Sequence, residues 1–231
     1  MLIFKRTLIF IFSIFCLLWM RPVLSYDNQF AFKAGIGASF SEVMGMSDRS
    51  EGYWSGAWQT QVGYRFDKWE FAMTSYVQVG TIHNLQFQLN KDHISGDGKM
   101  NSILFGPLAK YYSDVTYKKS WHPYAGAGPL IAVQTLWPDR YVGANGEQYN
   151  NRYRLVYHGR GFAMAFGLEE KESAKEQHPV FCEFYYSYLQ AYKVVTVEQG
   201  NFFQNEIISS EDLTQKVHQR IFMISVGATI F

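Results

Sequence analysis

Cysteine is scarce: the 231 residues contain two. Cys16 sits in an apolar leader, so Cys182 alone remains for an exported chain, and a disulfide-stapled scaffold is excluded. A charge excess is missing as well, with 21 Lys and Arg against 20 Asp and Glu. A polyanion partner needs a basic surplus, so nucleic acid is not expected as a ligand. Beyond the leader, no apolar run reaches the roughly 20 residues that a membrane-crossing helix requires. Any insertion into a bilayer must therefore be by strands. His83, His93, His122, His158, His178 and His218 stand without ligand spacing, so neither metal nor cofactor is expected. No glycine-rich phosphate loop opens a helix.

What is present begins with Lys5 and Arg6, followed by an apolar run from Leu8 to Met20 broken only by Ser13. Val23 and Ser25 then stand at the −3 and −1 positions of a cleavage site. Residues 1–25 read as a cleaved secretory signal and residues 26–231 as one β-domain. Cleavage removes Lys5, Arg6 and Arg21, leaving 18 basic against 20 acidic side chains. Phe15 before Cys16 is too bulky for a lipid-attachment site.

Period-two alternation dominates the rest. In 29–40, Phe30, Phe32, Ala34, Ile36, Ala38 and Phe40 share one face, and Ala31, Lys33, Gly35, Gly37 and Ser39 the other. In 55–66, Trp58, Thr60, Val62, Tyr64 and Phe66 oppose Gln59, Gln61, Gly63 and Arg65. After a tight turn at Asp67-Lys68, segment 69–80 sets Trp69, Phe71, Met73, Val77 and Val79 against Glu70, Thr74, Tyr76 and Gln78. Segments 101–112, 121–136, 153–168, 180–192 and 220–231 repeat the theme, which predicts eight strands. Connections at 67–68, 113–120 and 169–179 are short, whereas 41–54, 81–100, 137–152 and 193–218 are long and polar. An even strand number with that asymmetry is expected of a barrel with short periplasmic turns and long extracellular loops. Trp54, Trp58, Trp69, Trp121 and Trp137 fall at or near predicted strand ends, as interfacial anchors do.

The less apolar face separates lipid from water as the surrounding medium. In a soluble barrel it would be dense in Lys and Glu; here it is mostly Gly, Ala, Ser, Gln, Thr and Tyr. Small uncharged groups suit the cramped interior of eight strands. A charge at mid-bilayer on the opposite face would cost about 2–4 kcal/mol, and almost none is found there. Pro123-Tyr124-Ala125-Gly126-Ala127-Gly128 and the terminal Phe231 resemble the small outer-membrane β-barrel family of OmpX, the OmpA transmembrane domain and the opacity-type proteins. That resemblance implies an all-β, eight-stranded transmembrane barrel in the bacterial outer membrane. It also implies lipopolysaccharide and other outer-membrane lipids as surroundings, and Phe231 as a signal to the barrel-assembly machinery. One departure stands out: Thr229, Gly227 and Ser225 are in phase with Phe231, while Ile230, Ala228 and Val226 carry the apolar face.

Lys33, Arg65, Glu70, Lys110 and Glu183 fall on predicted inward faces, where buried charges must pair, so a polar network filling a narrow lumen is expected. The alternatives are a small-solute channel gated by those charges, or a lipid A deacylase or acyltransferase. For the enzyme, the one His-x-Ser pair is His93-Ile94-Ser95, in a Gly/Asp-rich stretch read as loop. The chain is expected not to be an enzyme. His158 and Arg160 are in phase with Phe162, which predicts a β-bulge near 159–161 that returns Leu155 and Tyr157 to the lipid face. Loop aromatics around 137–141 and 201–203 are candidates for an extracellular ligand. Leu85, Phe87 and Leu89 prolong the third strand, which could offer an edge to a partner.

Overall fold

A computed structural model describes residues 28–44, 52–89, 92–114, 121–139, 141–142, 148–149, 153–170, 179–198 and 206–230. The leader 1–25, the aromatic segment 201–203 and Phe231 lie outside the described residues.

Alternating side chains with β-branched and aromatic residues on one face favour extended backbone, and eight long strands form. They are β1 (Asn28–Met44), β2 (Gly52–Phe66), β3 (Trp69–Leu89), β4 (Asp92–Tyr112), β5 (Trp121–Pro138), β8 (Tyr153–Glu170), β9 (Val180–Glu198) and β10 (Glu206–Ile230). Two short strands, β6 (Tyr141–Val142) and β7 (Gln148–Tyr149), lie between β5 and β8. Each long strand pairs antiparallel with its sequence neighbour, and β1 also pairs with β10, so the sheet closes on itself. Closure leaves no sheet edge through the body of the barrel.

At one end, β2 turns into β3 at Asp67-Lys68, with Asp67 in the left-handed region at φ 52°. Lys68 pairs with Asp114 of the β4–β5 connection, and the Tyr112 amide donates to the Lys68 carbonyl at 2.8 Å. The hydrogen bond to Asp114 raises the pKa of the exposed Lys68 ammonium. At the other end the strands run further than the alternation alone indicates. The stretch 81–100 is a hairpin, not a loop: β3 and β4 stay paired up to Leu89 opposite Asp92. Much of 193–218 is likewise strand, in β9 and β10. Only short steps separate these residues along the chain, so ladder hydrogen bonds form there despite the Gly, Asn and Asp content.

Facing follows the alternation through the barrel body. Phe30, Ile36, Trp54, Phe66, Phe71, Ile103, Phe105, Ile131, Phe166, Phe184, Ile224 and Val226 are exposed on the outside. Lys33, Gln59, Gln61, Glu70, Lys110, Glu183, Ser187, Ser225 and Thr229 are buried inside. Trp58 is opposite Ile36, well inside the apolar outer belt and not at a strand end, while Trp54, opposite Phe40, is higher.

The proposed irregularity at 159–161 is corrected. On its β5 side β8 runs in unbroken register, with Leu130, Ile131 and Ala132 opposite Gly161, Arg160 and Gly159. Leu155 and Tyr157 point inward and are buried. The bulge is on β9: His158 pairs with Lys193 and Gly159 with Ala191, leaving Tyr192 as the extra residue. His158 and Arg160 therefore stay outside.

Candidate functional site

The site that the fold builds is its interior. Lys33 comes from β1, Arg65 from β2, Glu70 from β3, Lys110 from β4 and Glu183 from β9, all on inward-facing positions. They segregate into two neighbouring clusters. In the first, Lys33 Nζ lies 2.9 Å from Glu70 Oε2 and 2.8 Å from Glu169 Oε2. The Arg65 guanidinium contacts the same two oxygens at 2.9 and 2.7 Å. The Tyr112 hydroxyl sits among them, accepting from Lys33 at 2.6 Å and lying 2.7 Å from Glu169. Its ring stacks under the Arg65 guanidinium at 4.1 Å.

In the second cluster Lys110 Nζ meets Glu183 Oε2. That carboxylate also accepts from Tyr124 at 2.9 Å, while its other oxygen accepts from Tyr76 at 2.9 Å and Gln61 at 3.1 Å. Lys110 donates to Gln61 Oε1 at 2.6 Å. The charges of the two clusters cancel, three cations against three carboxylates. Buried ions are tolerated on those terms, paired and with their remaining hydrogen-bonding capacity filled.

The alternation puts Tyr76 inward but does not single out Glu169 or Tyr112 as members of the network. Glu169 was placed in a connection, yet it continues the inward phase of Ala163, Ala165 and Gly167, and extending that alternation by one step finds it. Small residues make room for the large ones: a Cβ on Gly167 would stand 2.4 Å from the Tyr124 ring, and one on Gly126 would stand 2.7 Å from the Lys110 side chain.

Above the ionic clusters, bulky apolar side chains enter the lumen beside buried Ser39, Gln59 and Ser187, which the alternation did not foretell. Tyr76, Leu104, Leu108, Leu130, Ala165, Tyr185, Leu189, Ile221 and Met223 pack together, with Leu104, Ala165 and Ile221 at 0% exposure. A polar layer follows, in which Gln134 pairs with Gln219 and Gln219 donates to Tyr53 at 2.9 Å. A second apolar group, including Ile82, Met100, Leu136, Leu155, Tyr157 and Val217, closes the far end. The expected polar network of Lys33, Arg65, Glu70, Lys110 and Glu183 is present, and apolar side chains share the lumen with it. The lumen is filled by two ionic clusters, two apolar groups and uncharged polar side chains among them.

The remaining sequence candidates are dispersed. His93 and Ser95 belong to β4, where Gln88 and Gln86 of β3 oppose them. Cys182 is exposed on the outer face. Among the described residues, no group of three or more His, Cys, Asp or Glu could hold a metal ion. Trp54, Trp58 and Trp69 are exposed outside, whereas Trp121 and Trp137 are half-buried.

No family model matches the chain, and no curated protein does. Solved structures do. Neisserial surface protein A is 17% identical, covering 87% of this chain and 97% of its own, with a TM-score of 0.49. The outer membrane protein OprG of Pseudomonas aeruginosa is 12% identical over 88% and 96%, with a TM-score of 0.46. The attachment invasion locus protein Ail of Yersinia pestis is 13% identical over 87% and 99%, with a TM-score of 0.40. The closed eight-stranded barrel of this chain stands on its own strand register.

Proposed function

We propose that this is an exported, non-enzymatic outer-membrane barrel with a sealed lumen, and that its work is structural and at the cell surface. The observation that carries this reading is the inside-out distribution of side chains. Ionised groups are locked in the interior, and a continuous belt of Phe, Ile, Val, Met and Trp faces outward. An exposed apolar surface of that extent has no stable place in water, and a closed barrel is one of the two backbone designs that hydrocarbon tolerates. The short Asp67-Lys68 turn then marks the periplasmic end and the β3–β4 hairpin the extracellular end.

The sealed interior argues against a channel. Ions crossing this lumen would have to pass the packed Leu104, Ile221 and Met223 side chains, whose buried polar neighbours Ser39, Ser41 and Ser187 carry no charge. Surface interaction finds support in the hairpin. β3 pairs with β2 only as far as Gly80, opposite Ser55, while its pairing with β4 goes on to Leu89. β6 adds to the free side of β4 at His93 and Ile94, and β7 adds to β6. Among the described residues no strand covers the other side of β3 over 81–89, so an extended segment of a partner could pair there.

Planar-bilayer recording of the purified mature chain tests the reading. The expected trace is flat, and the same flat trace is expected for Lys33→Glu and Glu70→Lys as long as they fold. Discrete conductance steps in the wild type that change with either charge swap would establish the channel instead.

A further inference from the structure

Charges are rare on the outer face, yet several gather on one side of the barrel near its extracellular end. On β8, Arg160 comes directly above Phe162 on the outward side; on β10, Arg220 comes directly above Phe222. Between these strands, β9 presents Tyr188, Gln190, Tyr192 and Lys193 outward. The bulge is what brings Lys193 there: it sets the consecutive residues Tyr192 and Lys193 on the same side and aligns Lys193 with His158. The Arg160 guanidinium lies 5.8 Å from the centre of the Tyr192 ring. Tyr188 forms the floor, stacked on His218 at 5.3 Å, bonded to its Nδ1 at 2.8 Å, and packed on Phe162 at 5.8 Å.

Two nearby carboxylates answer part of this charge. Glu42 reaches Arg220 at 3.9 Å, and Asp212 stands opposite Lys193 in the β9–β10 register. Arg160 makes no ion pair with any described carboxylate. Elsewhere around the rim the corresponding outward positions are uncharged, such as Phe40 and Trp54, or mixed, as where Lys99 is followed on its face by Asp97. The height is informative. From Glu170 to Arg160, β8 climbs roughly 23 Å at about 45° tilt and 3.3 Å per residue, close to the top of an apolar band about 25 Å tall. An unanswered guanidinium at that level, flanked by phenol rings and facing lipid, needs an anion from the leaflet itself.

We propose that the outward faces of β8, β9 and β10 hold the phosphorylated headgroup of a glycolipid in the outer leaflet, with Arg160 and Lys193 as its charged ligands and Tyr188 and Tyr192 packing beside it. Arginine binds phosphate oxygens through paired N–H donors, and the contact strengthens where water is scarce. The site rests on the bilayer placement proposed above, and the test separates the two.

The mature chain, folded in detergent, is titrated with lipid A carrying its phosphates, with the same lipid stripped of phosphate, and with inorganic phosphate, and adducts are read by native mass spectrometry. Cold gel electrophoresis with and without heating reports folding. The phosphorylated lipid is expected to bind at least about tenfold more tightly than the stripped one. Arg160→Gln with Lys193→Gln is expected to abolish that preference, and Lys99→Gln to leave it intact. If the double variant fails to fold, Arg160→Gln alone must still reduce the preference several-fold. Equal binding of the two lipids, or variants that behave as wild type, would overturn the site. Full displacement by millimolar inorganic phosphate would show a free-anion site and overturn the lipid assignment. A wild-type chain with no heat-modifiable form refutes the bilayer placement, and the headgroup site falls with it.

Discussion

Lys110 Nζ and Glu183 Oε2 meet at 2.5 Å in the lumen, from β4 and β9, which are not neighbours in the sheet, with both side chains at 0% exposure. Removing one partner leaves the other charged and without water. Lys110→Met is expected to destabilise the folded barrel by about 3–5 kcal/mol, and the double change with Glu183→Leu to recover much of that loss. Urea unfolding in detergent micelles, followed by tryptophan fluorescence, measures both. A single variant as stable as the wild type would mean that the pair does not carry the balance described here.

The apolar layer makes a separate demand. Leu104 and Ile221 are completely buried within it. Leu104→Ala or Ile221→Ala is expected to cost about 2–5 kcal/mol each through lost burial and the cavity left behind. The same unfolding assay reports it, and a cost well under 1 kcal/mol for both would mean that the layer is loosely packed.

Tyr124 depends on the absence of a side chain at Gly167. Gly167→Ala places a methyl 2.4 Å from the ring and 2.6 Å from the Cys182 carbonyl, so the ring or the strand must move. Overpacking of this kind costs about 1–3 kcal/mol. Because Tyr124 donates to Glu183, the change is also expected to weaken the Glu183 site. Lys110→Met should therefore cost less in the Gly167→Ala background than in the wild type, which a double-mutant cycle measures. Strict additivity would show that the ring keeps its bond.

Cys182 supplies a probe of the surroundings that needs no mutation. It is exposed on β9, opposite Leu168 on one side and Val226 on the other. A charged, water-soluble maleimide is expected to label it after denaturation in SDS and to leave it unlabelled in lipid vesicles, whereas an apolar maleimide labels it in both. Rapid labelling by the charged reagent in vesicles would place this surface in water.

Facing was legible because period two is a local property: each residue such as Lys33 or Glu70 declares its side through its immediate neighbours. Partners were not legible, because Lys33 bonds to a carboxylate 136 residues away. Leu104, Leu108 and Leu130 hid the apolar layer, since bulky residues on both faces of a strand look like noise in the alternation. His158 and Arg160 mark an irregularity in the sequence, but the sequence does not show which strand carries it. Two outward polar side chains on β8 point to an irregularity in β8, whereas the extra residue is Tyr192 on β9. The strand content of 81–100 was obscured by Gly, Asn and Asp, which are poor strand formers alone and acceptable in a hairpin whose ends are already paired.

The interior cations and their cross-lumen acceptors enter the chain at different times. Lys33, Arg65 and Lys110 come from β1, β2 and β4, whereas Glu169 and Glu183 come from β8 and β9. A half-formed sheet holding the first four strands therefore carries three positive groups with Glu70 as the one acidic member of the set, and hydrocarbon would repel it. Only when the later strands arrive and the two margins join does the nascent sheet become electrically acceptable to lipid. On the bilayer placement proposed above, closure and entry into lipid are thereby expected to be linked, with incomplete sheets disfavoured there until the last strands have docked.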